Sequence, residues 1–507
     1  MMRDNYKQIC EGKDLRSNLA ALRKELSDEV SVREFQKLTG GDYRVLYALL
    51  QNPDPKVRKN VCSVIGLCRP PKAVGLLWHA YLEEKTLFVR PSYLKALSGY
   101  DCPELKKDLQ EQERERMLDE PSEEDRKHRL EELAALRQIL SRYDEKKKHT
   151  FKIPAVTPDM ILITNRAQRE ITAQQIMTGN IRLLAGGIKV SGGDLTELLQ
   201  IRTVEEYLFP VPHCRPLVGS AEQIGTLLSQ AGLPGFLDKL HEEDPNLPYY
   251  FRIDVRGQIP PEKKGAFIRR ISDTLERRTG AALRGSASDY EIELRLLQKK
   301  DGSFVPCLKL FSLPDDRFAY RSGQTSESIA PVNAALAIAL ARPWLKDGAQ
   351  VLDPFCGVGT MLIERAKAGR TGMLFGVDHY GQAIRLGKEN AAGAGVQINY
   401  INRDFLTFTH DHPFDEVITD LPRQCHDELT QEVISPSGLF REFFIKIPSL
   451  LKNDALLVLY TPLGEEILSC IEGDPRFGVE GVFPVNEKNG TQVYILRYRS
   501  DGRSDFV

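Results

Sequence analysis

Four aspartates recur at the ends of apolar runs in the last third of the chain. Asp353 closes QVLD, Asp378 closes MLFGVD 25 residues later, Asp404 closes INYINRD 26 residues further on, and Asp420 closes FDEVITD. Between the first two lies a glycine turn, Gly357-Val358-Gly359, that leads into the helix-like TMLIERA. Glycines after a buried strand let the backbone come close to a ligand at the carboxyl end of a parallel sheet. The dinucleotide fingerprint GxGxxG is not met, because Leu362 occupies the place of its third glycine. An acid at the strand tip would also repel a pyrophosphate. Any single one of these acids could be a helix N-cap; four in succession point to a ligand.

The ligand that suits them carries cationic groups, such as the ammonium and sulfonium of S-adenosyl-L-methionine. A carboxylate at Asp378 can hold a ribose diol through two hydrogen bonds, and one at Asp404 can accept from an adenine amino group. Asp420-Leu421-Pro422 is the candidate catalytic turn. An exocyclic amine on a base is a poor nucleophile, because its lone pair is delocalised into the ring. An acceptor side chain plus a backbone carbonyl can hold both N–H groups and aim the lone pair. Positioning then supplies much of the catalysis.

From residue 349 onward, apolar strands alternate with helical segments. That predicts a parallel α/β sheet with right-handed crossovers. The tail GVEGVFPVNEKNGTQVYILRYR reads as two antiparallel strands around the turn Lys488-Asn489-Gly490. Residues 155 to 313 read as mixed strands and helices. One amphipathic helix there turns Phe267, Ile268, Ile271 and Leu275 to one face and leaves Arg269, Arg270, Arg277 and Arg278 mostly outside it. Residues 251 to 310 hold 13 Lys and Arg against 8 Asp and Glu, the best candidate for a phosphate-contacting surface. The first hundred residues have helical spacing throughout. Val57-Arg58 and Val89-Arg90 recur at an offset of 32, in a pattern that resembles HEAT-type repeats. Residues 104 to 148 are dense in charge, with one thin stripe of Leu130, Leu133, Leu136 and Leu140. They read as an exposed helical linker with solvated charges, whose second half docks.

A chain of 507 residues should hold more than one domain. Hydrophobic content of 41% and charged content of 28% fit a soluble globular protein without a membrane span. The first residues lack the apolar core of a signal peptide. The nine cysteines form no CxxC pair, so no metal site is expected and a reducing cytoplasm is. A net charge of -2 means that any nucleic-acid binding must come from a local basic patch.

DPFCGVGT followed by a strand-end DLP turn resembles the THUMP-domain RNA methyltransferases. These are class I S-adenosylmethionine enzymes that methylate guanosine N2 in tRNA or other structured RNA. RFAYRSGQTSESIAPVNAALAIALA resembles the family's bridge into the methyltransferase domain, with its Tyr320-Arg321 pair and a Pro-led helix from Pro331. GGIKVSGGDLTELLQIRTVEEYLFPV resembles the family's ferredoxin-like part, and FRIDVRG through ELRLL its THUMP core. The resemblance covers residues 155 to 500. It implies a Rossmann-like α/β methyltransferase domain over 314–507 and a ferredoxin-like plus THUMP-like α+β region over 151–313. An all-α, HEAT-like region over 1–103 and a linker over 104–150 precede them. Asp353, Gly357 and Gly359 would line the cofactor's methionine side. Pro354, Phe355 and Thr360 of the same turn, and Ser328 of the bridge, would complete the cofactor set with Asp378 and Asp404. Asp420, Leu421, Pro422 and Arg423 would form the catalytic turn. Arg269, Arg270, Arg277, Arg278 and Arg321 would contact RNA.

A monomer is expected, with a protein partner possible at the helical N-terminus. The departure is Arg423, where the family places an aromatic ring. Losing a base-stacking ring worth ~1–3 kcal/mol would slow an enzyme about 5- to 150-fold, and a guanidinium plane can recover part of it. Two alternatives stay open: an RNA-binding scaffold with a weakened methyltransferase domain, and a methyltransferase acting on an amine of DNA, free base or protein.

Overall fold

Among the described residues of the first 140, helices form wherever the apolar spacing asks for them. Asp54 caps the helix Pro55–Cys68 by accepting from the Lys56 N–H, and Pro55 starts it. The repeated Val-Arg pairs do one job twice. Arg58 reaches the buried Glu84 through Nε and Nη2 at 2.7 and 2.8 Å, and Arg90 reaches the buried Glu132 at 2.8 Å. The computed structural model describes residues 2–502 apart from 119–121, 123, 141, 144–147, 243–246, 427–432 and 435.

The charged linker differs from expectation. In its helices Lys106–Leu118 and Arg126–Leu140, Lys107, Asp108, Glu111, Arg114, Glu115 and Lys127 are exposed as expected, but Glu113, Arg129 and Glu132 are buried. Glu132 is wholly buried and accepts from Tyr81, Arg90, Arg116 and Arg129. Glu113 is buried too. It accepts from Arg137 at 3.0 Å and lies 3.4 Å from Arg284 in the central region, while Arg137 also bonds Glu276 there. A buried charge must be paired; Arg116, Arg129 and Arg137 of the same segment and Arg90 and Arg284 from other parts of the chain supply the pairs, an arrangement that a local charge count cannot show. The predicted docking of the second half is present.

The central region holds an eight-stranded sheet. Its order is Asn180–Leu184, Gly187–Ser191, Met160–Thr164, Val204–Pro210, Phe304–Leu310, Ile292–Gln298, Tyr249–Arg256 and Leu283–Gly285. The two halves meet at one narrow seam, where Phe209 pairs Leu308 and Pro210 pairs Cys307. The two edge strands, Asn180–Leu184 and Leu283–Gly285, escaped the sequence reading. Each is short, and the first is largely exposed.

The C-terminal sheet runs Asn399–Asn402, Thr371–Asp378, Ala349–Asp353, Phe414–Asp420, Leu451–Thr461, Thr491–Tyr498, Phe477–Asn486. The first five are parallel, and Thr491–Tyr498 pairs antiparallel on both sides, its pairing with Phe477–Asn486 being the one the sequence predicts. The chain order reverses between Ala349–Asp353 and Phe414–Asp420, the place where open α/β sheets bind ligands. Among the described residues, no helix is long and apolar enough to cross a membrane.

Beneath this sheet Arg365 and Glu416 form a pair that is 1% and 0% exposed, with contacts of 2.7 and 3.1 Å. Breaking such a pair costs about 3–5 kcal/mol, because one charge stays buried alone. Arg365→Ala should lower the stability of the C-terminal domain by that amount in urea titrations followed by Trp344 fluorescence in a Trp78→Phe background. Replacing both partners by apolar residues should restore most of it. A single variant as stable as the parent would refute the pairing.

Candidate active site

Parallel register brings three of the four acids to one end of the sheet. Asp353, Asp378 and Asp420 are each the last residue of a strand. Asp404 lies two residues past Asn402, is exposed, and caps a short 3-10 turn through the Leu406 N–H at 2.9 Å.

Asp353 is 1% exposed. Burial pushes its carboxyl up to about 8, and nearby Asp378 and Asp420 add to the rise, while the Thr419 hydroxyl and the Phe355 N–H beside it oppose it. Burial also raises Asp420 to about 7; Arg423 opposes that rise, and Glu327 of the bridge adds to it. Asp420 Oδ1 is buried without a partner among the described residues, as is Thr360 Oγ1, while the Thr419 hydroxyl has the Asp353 carboxyl beside it. Asp378 works on the backbone: its two oxygens accept from the Gly357 N–H and the Tyr380 N–H, each at 2.8 Å. Each oxygen keeps a further lone pair for a ligand.

The two glycines serve different ends. Both have positive φ, +50° at Gly357 and +79° at Gly359. A Cβ on Gly359 would stand 2.0 Å from the Tyr400 hydroxyl, so that glycine admits a neighbouring side chain. A Cβ on Gly357 would meet nothing within 4 Å, so its open side faces space for a ligand. Acids at the strand tips, an open glycine and unpartnered buried oxygens suit a ligand with cationic and hydroxyl groups. The residues present therefore fit S-adenosylmethionine, and Asp353, Gly357, Thr360 and Asp378 are the groups that could hold it.

Other expected site residues have structural duties. Leu421 is buried in the core, so only its backbone is available to a substrate. Pro354 is buried, and Phe355 packs on Phe405 and Phe443 with ring centroids 5.6 and 6.1 Å away. Pro422 is half-buried and Arg423 exposed beside Asp420. The Ser328 hydroxyl accepts from the Thr325 N–H at 2.9 Å and closes a turn of the bridge. Arg321 donates to the Ile329 carbonyl at 2.6 Å, within the bridge. Arg269, Arg270 and Arg278 are exposed on the helix Pro261–Arg278. Arg277 is half-buried on the flank where Asp273 and Glu276 meet Arg126 and Arg137.

Sequence reasoning missed the residues that hold the site in place. Glu364, almost wholly buried behind the glycine turn, receives Arg202 through two contacts of 2.7 and 2.8 Å and the Tyr320 hydroxyl at 2.7 Å. Asn390 is fully buried; it donates to the carbonyls of Gly323 and Val358 and accepts from the Gly323 N–H. The one signal for the first was an acid within the apolar run MLIERA.

Residues 321–487 match the family model described as RMKL-like, methyltransferase domain. The C-terminal part of the chain is thus a methyltransferase domain, and S-adenosylmethionine is its methyl donor. Over 137 residues the chain is 29% identical to a tRNA (guanine(10)-N2)-dimethyltransferase of Methanothermobacter thermautotrophicus, covering 27% of this chain and 39% of that protein. Over 145 residues it is 26% identical to a 23S rRNA (uracil(1939)-C(5))-methyltransferase RlmD of Shewanella sediminis, covering 27% and 32%. The chain spans about a third of the length of the curated relatives it matches. Its fold is similar to that of TrmN from Thermus thermophilus, with TM-score 0.51 and 19% identity, covering 67% of this chain and 99% of that one.

The two raised carboxyls give a pH signature. Folded protein keeps protons that the unfolded chain releases near pH ~4, so both contributions to stability are full below that pH. They are lost as pH rises toward about 7 for Asp420 and about 8 for Asp353. Ligand-free Tm should therefore fall between pH 5 and pH 8, and Asp353→Asn should shrink that fall. An undiminished fall in the variant would show that Asp353 is already ionised at pH 5.

Proposed function

We propose that the protein is an S-adenosylmethionine-dependent RNA methyltransferase whose target is an exocyclic amine, most simply the N2 amine of a guanosine in tRNA. The observation that carries this reading is Asp420: a buried, unpartnered oxygen at the switch point of the sheet, beside Pro422 and Arg423. The relatives named for RNA methylation support the substrate class, one of them named for guanine N2. On this reading the N-terminal helices are HEAT-like, the central sheet joins a ferredoxin-like half to a THUMP-like half, and the protein works in the cytoplasm.

When bound, S-adenosylmethionine supplies an activated methyl group. The chain's own part is to place the amine. The free Asp420 oxygen and a backbone carbonyl of the turn accept its two N–H groups and aim the lone pair. As the nitrogen gains a bond it must lose a proton, and a carboxyl near 7 is matched to receive it at neutral pH. The exposed guanidinium of Arg423 offers a plane on which the base can lie.

The test is to incubate the protein with labelled S-adenosylmethionine and total small RNA and identify the labelled nucleoside. N2-methylguanosine is expected; no label in any RNA would support the alternative of an RNA-binding scaffold. Asp420→Asn should slow transfer about 10²-fold or more while cofactor affinity stays near that of the parent. The parent's rate should rise with pH through about 7 and the variant's profile should be flat. Equal losses in binding and turnover would contradict the role given to Asp420. Reversing Arg269, Arg270 and Arg278 together should lower the slope of log affinity against log salt by about 2. An unchanged slope would move the RNA surface elsewhere.

A further inference from the structure

The helical N-terminal region carries an excess of positive charge that its own fold does not use. Residues 1–103 hold 17 Lys and Arg against 12 Asp and Glu, whereas the whole chain is at -2. Arg58 and Arg90 are consumed by buried glutamates. Three others converge on an open cleft of about 650 Å³, lined by Arg16, Lys56, Lys59, Asn60, Phe88 and His128 among others.

Four separate elements build that cleft. Arg16 belongs to the helix Leu15–Glu25, and Lys56, Lys59 and Asn60 to the helix Pro55–Cys68. Phe88 precedes the helix Arg90–Leu97, and His128 lies in the first turn of Arg126–Leu140. Asn60 locks the first two helices together by donating to the Arg16 carbonyl at 3.2 Å. Lys59 sits 5.7 Å over the Phe88 ring, and the His128 ring lies 6.2 Å from it. The lining contains no acid. Among the described residues none of Arg16, Lys56 and Lys59 has an ion-pair partner, and His128 Nδ1 is buried without a hydrogen-bond partner.

We propose that this cleft binds a single-stranded segment of the RNA substrate, with Arg16, Lys56 and Lys59 on phosphates and a base against Phe88 and His128. Unpaired cations grouped around an aromatic ring match a chain of phosphates carrying flat bases. A protein partner of acidic character would satisfy the lysines but leave the ring and the unpartnered imidazole nitrogen without a role. Position supports the assignment as well. His128 is two residues from Arg126, which bonds Glu222 of the central region at 3.1 Å. Arg126 and Arg269 both act on Asp273, so the helix that carries His128 begins close to the helix Pro261–Arg278 with its exposed arginines. The helical region would then lengthen the RNA footprint beyond the central sheet. This inference rests on the RNA reading proposed above.

The test is filter binding of bulk tRNA to the full-length protein across a salt series. Arg16→Glu, Lys56→Glu and Lys59→Glu are combined in one variant, and Phe88→Leu is made separately. All three charged positions are exposed, and an unchanged circular dichroism spectrum and cofactor affinity confirm folding. The triple variant should bind at least tenfold more weakly, with a salt slope lower by about 2. Phe88→Leu should weaken binding about fivefold or more with the slope unchanged. Photocrosslinking of 4-thiouridine-substituted RNA should label the peptide that contains Phe88. A parent that binds tRNA with variants that bind equally well would overturn this inference alone and point the cleft toward a protein partner. A parent that binds no tRNA would overturn the RNA reading along with it.

Discussion

Glu364 is the group on which the arrangement of the molecule turns. It is a carboxylate with almost no access to water, just over one helical turn behind Gly359. Burial of a charge is costly unless it is paired and hydrogen-bonded. Here the pairs come from outside the methyltransferase sheet: Arg202 from the central region and Tyr320 from the bridge. Arg202 also lies over the Phe318 ring at 4.8 Å, so the bridge is held by stacking as well as charge. On the other side of the glycine turn, Asn390 fastens Gly323 of the bridge to Val358. The bridge cannot shift without uncovering a buried charge or a buried amide. The same segment carries Glu327, whose charge is felt at Asp420. The central region and the candidate site are therefore coupled through the backbone of the glycine turn.

Much of this was legible in the residues. The alternation of apolar strands and helices after residue 349 predicted the parallel sheet, and three of the four acids fall at strand ends at one end of it, with Asp404 just beyond its strand. Those patterns are local, with periods of a few residues, and local patterns survive in a sequence. The pairing Leu352 with Val417, which sets Asp353 and Asp420 near one another, follows once the strand order is known. Neither Glu364 nor Asn390 could be read that way. Their partners lie 162 and 44 residues from the first and 67 from the second. A single acid in MLIERA looks the same whether it meets solvent or an arginine from another region.

The charged linker shows the same limit in the opposite direction. Its composition argued for solvent, yet Glu113 and Glu132 are buried in an ionic seam. Charge density alone does not separate a solvated face from a seam whose counter-charges arrive partly from elsewhere. The glycine turn gave a subtler outcome. Both glycines were expected to make room for a ligand, but Gly359 makes room for Tyr400, whose hydroxyl goes on to the Gly387 carbonyl at 2.9 Å. The shape of the cofactor turn is thus set partly by a neighbouring strand.

The seam between Val204–Pro210 and Phe304–Leu310 also imposes an order of events on the ribosome. The first half of the central sheet cannot gain its neighbour until nearly 100 further residues have been made. At about 5–20 residues per second that interval lasts roughly 5–20 s. During it the Val204–Pro210 edge is unpaired on one side, and Glu276 has not yet reached Arg137. The N-terminal helices, whose contacts are nearer in sequence, can close in the meantime. Synthesis therefore delivers the N-terminal helices first, with the Glu113 and Arg137 pairs to the central region still to be made, and leaves the central sheet open at one edge until its last strand emerges.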